Sequence, residues 1–371
     1  VTVGVGGGAP FVTTPRVSCG FDASTGRSCN TSEICPGPSM ALASAAVATP
    51  APSWRATNRV VERVGMTFSV ATRSRPRAAA RRSVAAAASS SEVPAEYVAL
   101  AADLVDAAAR ITVKHFRTPL EIDDKNDASP VTIADKGAEA AMRALVHERF
   151  PTHAIFGEEE GIELGEGGLQ EWTWVFDPID GTKSFITGKP LWGTLVALLH
   201  NGEPVLGVLD QPVLKERWVG VKGQPSTLNG EVISTRRCVS LGDAYLYSTT
   251  PYMFEGDNLM PYKEVAKHVK VPMFGCDCYA YGLLAAGHCD LVIEADLKPY
   301  DYMALVPIIK GAGGVFTDWK GRELRWEGSQ EALAAGKFQG EVIAAGDAET
   351  HAAAIKRMEM ALGVYFNKPE K

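Results

Sequence analysis

The run Trp174-Val175-Phe176-Asp177-Pro178-Ile179-Asp180-Gly181-Thr182 gathers, within nine positions, residue types that can do metal and phosphate chemistry. An apolar stretch of strand character delivers two carboxylates three positions apart, with an X-Pro bond between them and a glycine after. Hard oxygen donors suit a divalent cation such as Mg²⁺: Asp177 and Asp180 offer carboxylates, and Ile179 offers its backbone carbonyl. Pro178 stiffens the link between them. Gly181 and Thr182 then present N–H groups where a helix over 183–186 begins, a seat for an anionic phosphate. Asp-Pro followed by Asp-Gly is, taken alone, an ordinary turn; the complete run argues for more.

Further acids stand where such a site can recruit them. Residues 154–156 read as a short strand running into Gly157-Glu158-Glu159-Glu160-Gly161. Three adjacent acids repel one another unless water or a cation neutralises them, so this turn is either a solvated loop or a source of ligands, Glu158 first. Asp135 falls near the start of a helix marked by Ala138, Ala141, Met142, Leu145 and Val146, where capping and the macrodipole already favour an acid. Asp301 stands before a helix beginning at Tyr302; an N-cap explains it cheaply, and it also completes a set of carboxylates.

The elements that must position these residues follow from periodicity. Val98, Ala101, Leu104, Val105, Ala108 and Ile111 predict a long amphipathic helix over 92–117. Residues 194–199, 204–209 and 217–221 predict successive strands with Asn201-Gly202 as a hairpin turn, hence an antiparallel meander. Beyond about residue 240, strands over 244–248, 290–294, 314–316 and 341–344 alternate with helices over 262–268, 279–286, 302–311 and 348–362. No Pro/Gly/Ser linker intervenes, so the expectation is one folded region, 92–371, with halves 92–240 and 241–371.

Composition separates that region from what precedes it. Residues 1–91 hold ten Arg, no Lys and three acids, whereas the remainder carries a net charge of −14 against −7 for the whole chain. So acidic a body, without a basic stripe, argues against a nucleic-acid partner and suits a site that concentrates cations. The leading segment is rich in Ala, Ser, Thr and Arg and lacks a hydrophobic face. It reads as a disordered transit peptide, with Met40 as a plausible initiator and Val84-Ala85-Ala86 as a processing site; the plain alternative is an extension with no address. The expected destination is the chloroplast stroma, with the mitochondrion as the alternative. No apolar run is long enough to cross a bilayer, so no membrane partner is expected. Three of the seven cysteines lie in the leading segment; Cys238, Cys276, Cys278 and Cys289 lack metal or disulfide spacing and are expected to be reduced thiols.

Taken in order, Phe156-Gly157-Glu158-Glu159, Asp177-Pro178-Ile179-Asp180-Gly181-Thr182, and Tyr300-Asp301 leading through Ala304 to Gly311-Ala312-Gly313-Gly314 resemble the inositol monophosphatase family of Mg²⁺-dependent, lithium-sensitive phosphatases. The resemblance covers essentially all of 92–371. It implies an α/β (α+β) fold layered α-β-α-β-α, with the site between the halves, and a homodimer. Carried over by position, it implies Glu158, Asp177 and the Ile179 carbonyl at a first metal, and Asp177, Asp180 and Asp301 at a second. Glu158 would also help hold a third, and Gly181 and Thr182 would cradle the phosphate. Asp135 matches the acid that bonds the threonine at Thr182, and Thr182 and Glu158 would orient the attacking water, with no covalent intermediate.

Other strings depart from the inositol-specific pattern. Tyr300 stands where many members have Trp, Met303 takes the first place of a usually small pair, and Asp210-Gln211-Pro212 replaces the more usual Tyr-Asn-Pro. Gly207-Val208-Leu209-Asp210-Gln211-Pro212 and Leu297-Lys298-Pro299-Tyr300-Asp301 resemble the histidinol-phosphate phosphatase branch, implying L-histidinol phosphate as substrate and a place in histidine synthesis. Glu294, seven residues before Asp301, and Asp296 are then the candidate acids for the substrate's ammonium group. The rivals are an inositol or broad sugar phosphatase acting on inositol 1-phosphate or L-galactose 1-phosphate, and a catalytically silent metal-binding relative. Intact carboxylates speak against the last.

Overall fold

The computed structural model describes residues 93–119, 122–124, 130–166, 171–326 and 338–366; the expected transit segment, with its initiator and processing positions, lies outside them. The chain enters as α1 (Ala95–His115), whose residues Leu100, Ala101, Leu104, Val105 and Ala108 recur at helical spacing and are all buried. Strands β1 (Ile122–Asp124) and β2 (Pro130–Thr132) form a small antiparallel ladder that feeds α2 (Ile133–Arg149). Both helices lay their apolar stripes on one face of a large sheet, where Leu104, Met142, Trp174, Phe176 and Val196 share a core.

That sheet is built from β3 (Ala154–Gly157), β4 (Gly161–Glu163), β5 (Trp172–Asp180), β6 (Gly193–His200), β7 (Glu203–Gln211), β8 (Glu216–Val221), β9 (Thr227–Leu228) and β10 (Glu231–Val232). Its order is β10-β9-β8-β7-β6-β5-β3-β4, so the run from β5 to β10 is the antiparallel meander expected from the sequence, and β3 adds in parallel to β5. Asn201 and Gly202 join β6 to β7 with φ of 49° and 77°, the left-handed pair that a two-residue hairpin of matching twist requires. A short helix, α3 (Thr182–Ile186), interrupts the meander between β5 and β6.

The second sheet comprises β11 (Tyr245–Ser248), β12 (Val271–Phe274), β13 (Leu291–Glu294), β14 (Val315–Asp318) and β15 (Val342–Ala345), ordered β12-β11-β13-β15-β14. Between its strands run α4 (Leu259–Ala266), α5 (Cys278–Ala285), α6 (Pro299–Tyr302), α7 (Leu305–Gly311) and, last, α8 (Ala348–Phe366). Strand β12 was not anticipated. Val271-Pro272-Met273-Phe274 carries a proline and leaves three side chains exposed, which an edge strand tolerates and a central one does not. The single helix expected over 302–311 is two, α6 and α7. Pro307 has no N–H to offer the Met303 carbonyl four residues back, and the helix is re-initiated there.

Helices α5 and α7 touch both sheets, while α4 and α8 cover the far face of the smaller one, giving the expected five layers, α-β-α-β-α. The inner layer is close-packed down to the backbone. A Cβ on Gly207 of β7 would stand 1.8 Å from the Ala304 carbonyl oxygen, and one on Gly220 of β8 would stand 2.4 Å from the Ile308 nitrogen. Glycine is therefore demanded here by the approach of α7 rather than by backbone dihedrals. Gly207→Ala is expected to destabilise the protein by about 1–3 kcal/mol through overpacking. Urea unfolding should show a lower midpoint with an unchanged slope; a wild-type midpoint would show that α7 does not rest on β7.

Candidate metal centre

The site begins with a defect in the large sheet. Asp177 pairs with Leu195 and Asp180 with Gly193, so three steps along β5 oppose two along β6. In a regular strand, residues three apart point to opposite faces; the extra residue of this bulge reverses that parity and lets both carboxylates converge. Pro178 fits here because a bulge leaves a ladder position that needs no N–H, and the Thr194 hydroxyl donates to its carbonyl at 2.8 Å. Asp177 accepts the Ile179 N–H at 3.1 Å.

Three elements complete the cluster. Gly193 has no Cβ because one would lie 2.9 Å from Cys278 Sγ; this lets the start of α5 reach β6, where the Cys278 N–H donates to Asp180 at 2.5 Å. Asp301 lies on α6, not before it as an N-cap: its carboxylate reaches back to accept the Lys298 N–H at 2.6 Å in a capping box. Carboxylate oxygens of Asp177, Asp180 and Asp301 lie within 4.8 Å of one another. Glu158 follows directly after β3, where its N–H extends the ladder to the Phe176 carbonyl at 3.2 Å. Glu158, Asp177, Ile179, Asp180, Gly181, Thr182, Lys183, Thr249, Asp277 and Asp301 line one cavity of about 190 Å³.

The electrostatics of this wall call for a cation. Asp177 is held well above the usual carboxylate range, first by burial and then by the charges of Glu158, Asp180, Asp301 and Asp135. Asp180 is raised by burial and by Asp277, and Asp301 is pushed up to about 8, again chiefly by burial. Three converging carboxylates with hard oxygen donors and a backbone carbonyl beside them, and Lys183 as the one cationic side chain lining the cavity, fit a divalent ion.

Three residues outside the sequence reading shape the site. Glu139 of α2 is fully buried, and its carboxylate accepts the N–H groups of Glu159 at 2.8 Å and Glu160 at 3.0 Å while pairing with Arg143 at 2.8 Å. Arg143 in turn donates to the Gly161 carbonyl at 2.7 Å, so the turn bearing Glu158 is wrapped around a buried ion pair. A buried acid and base four apart on the core-facing side of α2 were the legible sign. Asp277, ahead of α5, has a φ of 46°, uncommon for a residue with a Cβ, and its Oδ2 accepts from the Ser184 hydroxyl at 2.9 Å. No spacing rule announces it.

The remaining expected residues divide. Asp135 is buried in the first turn of α2, and the Thr182 hydroxyl donates to the Ile179 carbonyl at 3.2 Å. Glu294, 3% exposed, sits behind the cavity wall with both oxygens engaged, one by the Thr249 N–H at 2.8 Å and one by the Tyr281 hydroxyl at 2.9 Å. Asp296 points to solvent, its side chain 86% exposed and 3.6 Å from Lys298, and is not brought to the cavity. Gln211 also lies elsewhere, its amide bonding the Pro190 and Trp192 carbonyls. The four cysteines of the folded region are free and buried, as expected.

Residues 94–357 match the inositol monophosphatase family, and the chain belongs to that family. Among its relatives is the chloroplastic bifunctional phosphatase IMPL2 of Arabidopsis thaliana, 52% identical over 263 residues that cover 71% of this chain and 75% of the relative. A histidinol-phosphatase of Chlorobaculum parvum is 31% identical over 60% of this chain and 86% of its own length. Among solved structures, an inositol monophosphatase from Zymomonas mobilis is 46% identical and superposes with a TM-score of 0.63, covering 71% of this chain and 98% of its own.

The raised carboxylates set a pH dependence. Asp301 at about 8 and Glu294, pushed up to about 7 by burial, both titrate above their unfolded values. A raised acid contributes stability below its unfolded value and loses it as pH rises through the folded one. The chelated protein is therefore expected to lose thermal stability between about pH 5 and about pH 8.5, and added Mg²⁺ to restore it at the upper end but scarcely at the lower. A chelated protein whose Tm rises across that window would contradict the electrostatics described.

Proposed function

We propose that this chain is a Mg²⁺-dependent phosphomonoesterase that hydrolyses L-histidinol phosphate to L-histidinol and phosphate in histidine synthesis. The observation that carries the reading is the convergence of Asp177, Asp180 and Asp301 within 4.8 Å beside a small cavity, in a chain related to histidinol-phosphatases. An all-oxygen donor set favours Mg²⁺ over softer ions. Glu158, Asp177 and the Ile179 carbonyl would hold one ion, Asp177, Asp180 and Asp301 a second, and Glu158 would share in a third. Bound there, the ions supply charge neutralisation for the phosphoryl oxygens and acidify water.

The protein's own groups do the rest. The first turn of α3, opening at Gly181 and Thr182, offers N–H groups to the phosphate before intrahelical partners exist for them. Thr182 donates its proton to the Ile179 carbonyl, which leaves its lone pairs to accept from the attacking water. Asp135, buried in the first turn of α2, and Glu158, on the cavity wall, would set the orientation of that water. Glu294 supports the substrate side through Thr249 and Tyr281. A homodimer without nucleic-acid or membrane partners belongs to the same reading.

A second reading is inositol or broad sugar-phosphate hydrolysis. It is favoured by the Zymomonas mobilis inositol monophosphatase and by the word bifunctional in the name of the Arabidopsis relative. Phosphate release from L-histidinol phosphate, inositol 1-phosphate and L-galactose 1-phosphate separates the readings, with histidinol phosphate expected to give the highest kcat/KM.

Asp177→Asn, which removes charge shared by both ions, is expected to abolish turnover. Asp135→Asn and Thr182→Ala should slow it by about 10- to 100-fold, and Li⁺ should inhibit the wild type. Wild-type turnover in Asp177→Asn at saturating Mg²⁺ would sink the two-ion assignment. The Arg-rich segment supports plastid import, as does the chloroplastic Arabidopsis relative. Residues 40–91 fused to a fluorescent reporter should reach the plastid; cytosolic fluorescence would refute the address, and a mitochondrial signal would correct the organelle.

A further inference from the structure

We infer that Glu139 and Arg143, the buried ion pair on α2, are positioning residues for the divalent ions: by holding the turn after β3 they set the Mg²⁺ affinity at Glu158. The inference rests on Glu158 as a metal ligand and not on which phosphate ester is hydrolysed. A buried charge pair is costly to desolvate, and apolar side chains of similar volume often stabilise a core as well or better. Glu139 is 0% exposed and Arg143 4%, so stability alone is a poor account of the pair.

Its contacts bracket Glu158. On one side is Gly157, where a Cβ would stand 2.0 Å from a Glu139 carboxylate oxygen, so the carboxylate occupies the space a side chain would need. On the other side the two Glu139 oxygens are divided, Oε2 accepting the Glu159 N–H at 2.8 Å and Oε1 the Glu160 N–H at 3.0 Å. Arg143 donates to the Gly161 carbonyl at 2.7 Å and to the Glu163 carboxylate at 3.2 Å. The Glu158 N–H itself donates to the Phe176 carbonyl at 3.2 Å, one residue before Asp177. The backbone around Glu158 is thus tied to a core helix on both flanks and, at its centre, to the strand that bears Asp177.

Charge follows the same division. The Arg143 guanidinium lies within 3.5 Å of Glu160, 3.2 Å of Glu163 and 2.8 Å of Glu139, whereas Glu158 lines the cavity with Asp177, Asp180 and Asp301. One fork-shaped cation serves the later acids of the turn on the core side and leaves Glu158 to the cavity wall. A carboxylate held there beforehand loses little conformational freedom when an ion arrives, and affinity follows from that preorganisation.

Calorimetric binding of Mg²⁺ alone, with the Mg²⁺-dependent rise in Tm beside it, tests this without any substrate. In Glu139→Gln the amide has one oxygen where two N–H groups now meet two, so one N–H of the turn faces an NH₂ group. The ion that Glu158 holds should bind about 10- to 100-fold more weakly, and saturating Mg²⁺ should restore kcat. Arg143→Lys, which keeps the charge and loses the fork, should weaken Mg²⁺ binding in the same direction, and it carries the test should Glu139→Gln fail to fold. In a Glu158→Gln background neither change should weaken Mg²⁺ binding further, because the pair acts through Glu158. Gly207→Ala, destabilised away from the site, should bind Mg²⁺ as the wild type does. Wild-type affinity in the α2 variants, the same loss with and without Glu158, a kcat that Mg²⁺ does not restore, or an equal loss in Gly207→Ala would assign the pair to the fold alone. Each would overturn the inference while leaving the metal reading intact; wild-type protein that binds no Mg²⁺ would remove that reading as well.

Discussion

Convergence of Asp177, Asp180 and Asp301, the first buried and the other two half-buried, is the constraint on which the site depends. Carboxylates gathered within 4.8 Å raise one another's proton affinity, and no arginine among the residues lining the cavity relieves them. Such a cluster is tolerated because a divalent cation converts the repulsion into coordination. Fold stability and metal affinity are thus linked through the same groups: what makes the cation-free wall costly makes the loaded wall favourable.

The rest of the architecture is arranged to bring those acids together. A bulge in β5 turns Asp180 to the side of Asp177, glycine at Gly193 admits the start of α5 to bond Asp180, and the capping box of α6 aims Asp301. Each device lies at the end of a strand or helix, where backbone groups are left over from regular hydrogen bonding and can be spent on orientation. The tight seating of α7 over Gly207 and Gly220 sets the distance between the sheets across which these ends face one another.

Around the carboxylates, three residues act without being donors in the expected ligand set. Glu139 and Arg143 fasten the acidic turn from below, holding the N–H groups of Glu159 and Glu160 and the Gly161 carbonyl just past Glu158. Asp277 lies against Gly181, at the start of α3, in a strained backbone conformation. Strain of this kind persists where packing over-determines it, and it concentrates at functional sites.

Local signals in the sequence were enough to single out the acids that converge at the candidate site, the antiparallel meander with its Asn201-Gly202 turn, and the amphipathic helices. Each depends on residue type and near spacing: carboxylates beside a proline and a glycine, alternation at period two, apolar stripes at period 3.6. The edge strand at Val271–Phe274 was missed because its proline and exposed side chains are acceptable only at a sheet edge, a fact of topology. Glu294 and Asp296 were alike as letters two positions apart. Tertiary structure separated them, folding one behind the cavity wall against Thr249 and Tyr281 and leaving the other in solvent with φ of 61°. It also brought Asp277 to Gly181 across nearly a hundred residues of chain, a juxtaposition that no periodicity encodes because it is made by the packing of α5 against the end of β6.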